Sequence, residues 1–176
     1  MSARVGRGPA ATKRAAQVTD PAERAREIAI RLLTHSPRSA AQLREGLLKR
    51  EVEPDVVEEI IERYREVGLL DDPELAATIA RTRHRERGRS RRAVRQELQR
   101  KGFEPEDIDA ALEQISDDDE HAVARELAVK RWNQLEGVDR DKRVRRVVGM
   151  LGRRGYSPSL AFALVRECED ADNLSA

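Results

Sequence analysis

The segment RTRHRERGRSRRAVR, residues 81–95, holds eight arginines and one acid, Glu86. Guanidinium groups at this density suit one kind of chemistry, the recognition of carboxylate or phosphate oxygens through forked hydrogen bonds. The candidates are Arg81, Arg83, Arg85, Arg87, Arg89, Arg91, Arg92 and Arg95. With a single acid among them, pairing one helical turn away cannot neutralise the set. Arg91 and Arg92 also fall in the first turn of an expected helix, where the helix dipole disfavours cations. Compensation must come from outside the segment, either from an acidic face such as EEIIERYRE (58–66) or from an external anionic partner. A second cluster stands in DRDKRVRRVVGMLGRR (139–154), with Arg140, Lys142, Arg143, Arg145, Arg146, Arg153 and Arg154.

Other chemistries find little support. His35, His84 and His121 are widely separated and form no metal-binding spacing, so no zinc site is expected. Cys168 reads as a small core thiol. The acids of SDDDEHA (116–122) sit where a helix start favours negative charge, which explains them without a metal. Trp132 and Tyr156 read as packing residues. The sequence implies no catalytic residue, no metal and no cofactor.

The elements that carry these residues repeat. Shifted by 51 positions, SAAQLREGLLKREVEPDVVEEIIERY falls on SRRAVRQELQRKGFEPEDIDAALEQI without a gap, and the register gives ten identities in forty positions over residues 25–64. Ser39, Arg44, Leu47, Glu53 and Pro54 meet Ser90, Arg95, Leu98, Glu104 and Pro105. A fainter third copy places Gly155-Tyr156-Ser157-Pro158 on Gly102-Phe103-Glu104-Pro105. Such periods signal stacked helical units. Each unit reads as three helices. In the second, an apolar stripe runs over about 73–87 to Gly88, Ser90 caps the next helix, Gly102 ends it, and Pro105 starts the third. In the first unit Glu51 stands where the others have glycine. Helices this short hold little core, so neighbouring units are expected to share buried surface, and the two basic clusters, at equivalent points, would line one groove.

Composition agrees with an all-α chain: aromatic residues are 3% and charged residues 38% of the total. No apolar run approaches the roughly 20 residues that span a bilayer, and a lone cysteine suits a reducing compartment, so a cytoplasmic protein with no membrane contact is expected. The organisation read from the pattern is a disordered basic arm at 1–20, three-helix units at 21–71, 72–116 and 117–170, and a tail at 171–176. Together they form an elongated, curved array, with nothing that demands more than a monomer.

Gly68-Leu69-Leu70-Asp71-Asp72, the Arg-rich helix that follows, and VRQELQRKGFEPEDIDAAL (94–112) resemble the signature of the RecX family, bacterial regulators of the RecA recombinase. The resemblance covers about residues 22–168 and implies tandem three-helix repeats. It also implies a non-enzymatic inhibitor that binds the RecA–DNA nucleoprotein filament and lowers its ATPase, strand-exchange and coprotease activities, in homologous recombination, DNA repair and the SOS response. One departure is Leu75, where relatives often carry an aromatic. The family has no catalytic motif to transfer, so the contact residues rest on charge alone: the fifteen cations named above.

Two other readings compete. A direct DNA-binding module would use a helix pair such as 90–101 and 105–115 as a helix-turn-helix, but PEDIDAALEQI is acidic and would repel phosphate. Weak, nonspecific DNA binding remains compatible with the regulator reading. A nuclease built on the acids of 117–120 is the weakest alternative.

Overall fold

Short amphipathic helices punctuated by proline and glycine dominate the chain, and the computed structural model, which describes residues 20–175, shows what they build. The arm expected at 1–20 lies outside the described residues but for Asp20, which caps the first helix by accepting from Ala22 N–H. Among the described residues there are nine helices and no strand: α1 Pro21–His35, α2 Ala40–Leu48, α3 Pro54–Glu66, α4 Asp72–Arg85, α5 Arg91–Arg100, α6 Pro105–Glu113, α7 Asp117–Asn133, α8 Arg140–Arg153 and α9 Pro158–Ser175. None is long and apolar enough to cross a membrane.

Each run of three helices closes on its own apolar cluster. Leu43, Leu47, Val57 and Ile61 fill the first, Val94, Leu98, Ile108 and Leu112 the second, and Val147, Leu151, Leu164 and Val165 the third. The register of the sequence thus becomes a register of buried positions, each large side chain contributing about 1.5–3 kcal/mol. Cys168 and Trp132 belong to the third cluster.

Neighbouring units share buried surface at their joints, where Ser39, Asp72 and Ser90 are buried, while each of the three apolar clusters forms inside one repeat. α4 packing on α7 links the second and third units, while the recurring joints are largely polar. At the first joint, buried Ser39 caps α2 and donates its Oγ to the Lys101 carbonyl at 2.6 Å. The Ala40 N–H donates to both carboxylate oxygens of Asp72, at 3.0 and 3.2 Å. A β-carbon on Gly102 would stand only 2.5 Å from that of Ala41. The second joint repeats the plan. Ser90 caps α5 and its N–H donates to the Arg154 carbonyl at 3.0 Å, the Arg91 N–H donates to Glu120 at 2.8 Å, and Gly155 takes the place of Gly102. Each repeat therefore completes the helix start of the one before it. In the third repeat the place of Ser39 and Ser90 is taken by Asp139, which caps α8 by accepting from the Lys142 N–H.

The turn that feeds each joint needs a left-handed residue. Gly102 has φ +76° and Gly155 φ +93°, and at the same place in the first repeat Glu51 adopts φ +60°.

Candidate partner-binding surface

The arginines of 81–95 are distributed over the last turns of α4, the connecting loop and the first turns of α5. Four are engaged within the chain. Arg81 pairs with Glu74 at 3.0 Å and Arg95 with Asp109 at 2.8 Å. Arg83 Nε–H is shared between both oxygens of Glu97 at 2.8 and 2.9 Å, a pair about four-fifths buried on both sides, and the guanidinium holds the Glu97 carboxyl below its ordinary range. Arg91 pairs with Asp117 of α7. Arg85, Arg87, Arg89 and Arg92 are exposed and make no ion pair among the described residues. His84, buried at the end of α4, sets its Nδ1 3.0 Å from the Arg89 carbonyl and so fixes the loop that presents two of them.

Internal compensation thus reaches half of the eight arginines, and it does not come from the 58–66 helix. Glu58 of that helix pairs with Arg44 of its own repeat at 2.6 Å. Arg44–Glu58 and Arg95–Asp109 occupy equivalent positions, so Arg95 belongs to the repeat's own architecture. The cost of arginine at the start of α5 is offset by Asp117 and Glu120, the acids read in the sequence as helix-start residues. Asp119 of the same run is occupied by the Ser116 capping box, whose hydrogen bonds lower its pKa.

The second cluster divides in the same way. Arg140 donates to Glu169 at 3.1 Å. Arg143 lies over the Trp132 ring at 3.8 Å from its centroid, donates to the Trp132 carbonyl at 3.0 Å and pairs with Asp172 at 2.8 Å. Trp132 Nε1–H donates to the same carboxylate at 2.9 Å, and these two donors, the indole first, hold Asp172 below its usual pKa. Arg154 donates to the carbonyl of Arg87, so the two clusters touch at the second joint. Lys142, Arg145, Arg146 and Arg153 are exposed, without ion pairs among the described residues, and line one shallow depression with Arg131 of α7. Arg131 was invisible to the sequence reading because it sits in no cluster, and only the packing of α7 on α8 brings it there.

Exposed guanidinium and ammonium groups at this density can hydrogen-bond anionic oxygens. Cys168 is buried, which raises its thiol pKa, and Tyr156, likewise buried, is pushed up to about 12. A helix-turn-helix reading gains nothing from α6, whose first turn carries Glu106 and Asp107.

Comparison with known proteins follows the repeat boundaries. Three family models match in order: the first RecX three-helix domain over residues 25–63, the second over 71–112 and the third over 117–165. The regulatory protein RecX of Streptomyces coelicolor is 43% identical over 160 residues, covering 88% of this chain and 85% of that protein. That of Thermobifida fusca is 42% identical over 151 residues, covering 86% and 82%. The crystal structure of RecX from Lactobacillus salivarius superposes with a TM-score of 0.73 at 19% identity, covering 85% of this chain and 97% of that one, a likeness of fold.

Proposed function

The chain belongs to the RecX family, and on that premise we propose that it is a non-enzymatic negative regulator of a RecA recombinase. It binds the RecA–DNA nucleoprotein filament in the cytoplasm and lowers ATP hydrolysis, strand exchange and coprotease activity. The observation that supports this reading most directly is the set of unpaired cations the fold leaves exposed: Arg85, Arg87, Arg89 and Arg92 on the second repeat, and Lys142, Arg145, Arg146 and Arg153 on the third. A filament offers matching anions in acidic protein surface and in phosphate. Long-range attraction speeds encounter, and the contacts weaken as salt screens them.

The test is ATP hydrolysis by RecA filaments on single-stranded DNA as the protein is titrated in at two salt concentrations. Loss of hydrolysis well below one protein per recombinase is expected. Unchanged hydrolysis with an excess of folded protein and a matched recombinase removes the reading.

A further inference from the structure

We propose that the basic stretch 4–14 of this chain docks on the acidic outer face of α3, so that the first repeat is covered by the chain's own arm. The inference stands apart from the regulator reading and does not rest on it.

α3 presents Asp55, Glu59, Glu62 and Glu66 as one stripe along the helix, opposite buried Val57, Ile61 and Tyr64. Like charges at these spacings repel one another. Glu66 is answered by Arg63 at 3.0 Å, and Glu58 beside the stripe by Arg44 at 2.6 Å. Asp55, Glu59 and Glu62 are exposed and make no ion pair among the described residues. An extended cationic partner would relieve all three at once.

The chain supplies one. Residues 1–19 carry Arg4, Arg7, Lys13 and Arg14 and no acid. They lead into Asp20 and then Ala22, which with Val56, Glu59 and Ile60 lines a groove of about 200 Å³ between α1 and α3. Glu59 thus belongs to both the groove and the stripe. Arg26 lines the groove as well, so the groove itself suits small side chains such as Ala15, Ala16 and Val18 and leaves the cations to the stripe. From Asp20 back to Arg14 the chain can reach at most roughly 20 Å, whereas Asp55 to Glu62 is only roughly 10 Å of helix. A tether this short holds its ligand at an effective concentration on the order of mM, which a free protein of similar charge at micromolar levels does not match.

The experiment places a nitroxide on Gly8→Cys in the isotope-labelled full chain and follows amide broadening by nuclear magnetic resonance. Cys168 is buried and stays unlabelled. At about 50 mM salt the amides of α3 are expected to broaden, and the effect should fall at least about threefold at about 500 mM, where screening is much shorter-ranged. Asp55→Lys/Glu59→Lys/Glu62→Lys should abolish it, and adding Arg4→Glu/Arg7→Glu/Lys13→Glu/Arg14→Glu should restore it. The isosteric Asp55→Asn/Glu59→Gln/Glu62→Gln should weaken it as salt does, and decides the matter if the reversed chain fails to fold. A mixture of nitroxide-bearing chains with isotope-labelled chains that lack the nitroxide should show no broadening. The inference is overturned by α3 amides that stay sharp, by broadening centred on another helix such as α6, or by broadening that ignores salt or the isosteric variant. It is equally overturned by a folded double reversal that does not restore the effect, or by equal broadening in the mixture, which would make a second copy the occupant.

Discussion

Gly155 closes against Ser90 so tightly that there is no room for a β-carbon. Such an atom would fall inside the contact radius of Ser90 Oγ and 2.7 Å from Ala93 Cβ, at a backbone φ of +93°. Gly155→Ala therefore combines left-handed strain of about 1–2 kcal/mol with overpacking of about 1–3 kcal/mol. A loss of about 2–5 kcal/mol in urea unfolding is expected. Gly137→Ala is the control, because a β-carbon there meets nothing within 4 Å. It should cost only about 1–2 kcal/mol, the strain alone.

Glu51 predicts the opposite sign. It is exposed, sits at φ +60° and is the sole non-glycine residue with positive φ among the described residues. Glu51→Gly relieves the strain while loosening the unfolded chain, for a net gain of about 0.5–1 kcal/mol. The urea midpoint should rise with an unchanged slope.

The Arg83–Glu97 pair sets an acid dependence. Because the guanidinium lowers the Glu97 pKa in the folded chain, the pair contributes stability above the ordinary glutamate value of 4.5 and loses it as pH falls through the folded value. Arg83→Met keeps the aliphatic packing and removes the charge. It should cost about 1–3 kcal/mol at pH 7, and the gap from wild type should narrow as the pH falls below the ordinary glutamate value of 4.5 and through the lower folded value. Thermal unfolding between these pH values checks this, and a gap independent of pH would contradict it.

Much of the frame was legible because proline, glycine and serine act locally. Pro54, Pro105 and Pro158 each open the third helix of a repeat, and Ser39 and Ser90 cap as their spacing implied. Family membership was legible from GLLDD and the helices after it. What the arginines do was not, because Arg83 and Glu97 lie on different helices and Arg91 meets Asp117 across a joint. Charge counting along the chain cannot separate a gripped guanidinium from a free one. One pair was within reach: the register that aligns Arg44 with Arg95 also aligns Glu58 with Asp109, acid with acid. That units share buried surface was legible from the shortness of the helices; that each also closes its own apolar cluster was not, because it depends on buried alanines at α1 and α4, among them Ala29 and Ala80, that let those helices pack close.

The joints also impose an order on synthesis. Each repeat's apolar cluster comes from its own three helices, so it can collapse as soon as they leave the ribosome. Yet Ala40 waits for Asp72, Ser39 for Lys101, and Arg91 for Glu120. The second and third repeats each finish their predecessor by latching the open start of its middle helix. A nascent chain halted after the second repeat would hold one finished unit and one still unlatched, a directionality written into three or four hydrogen bonds per joint.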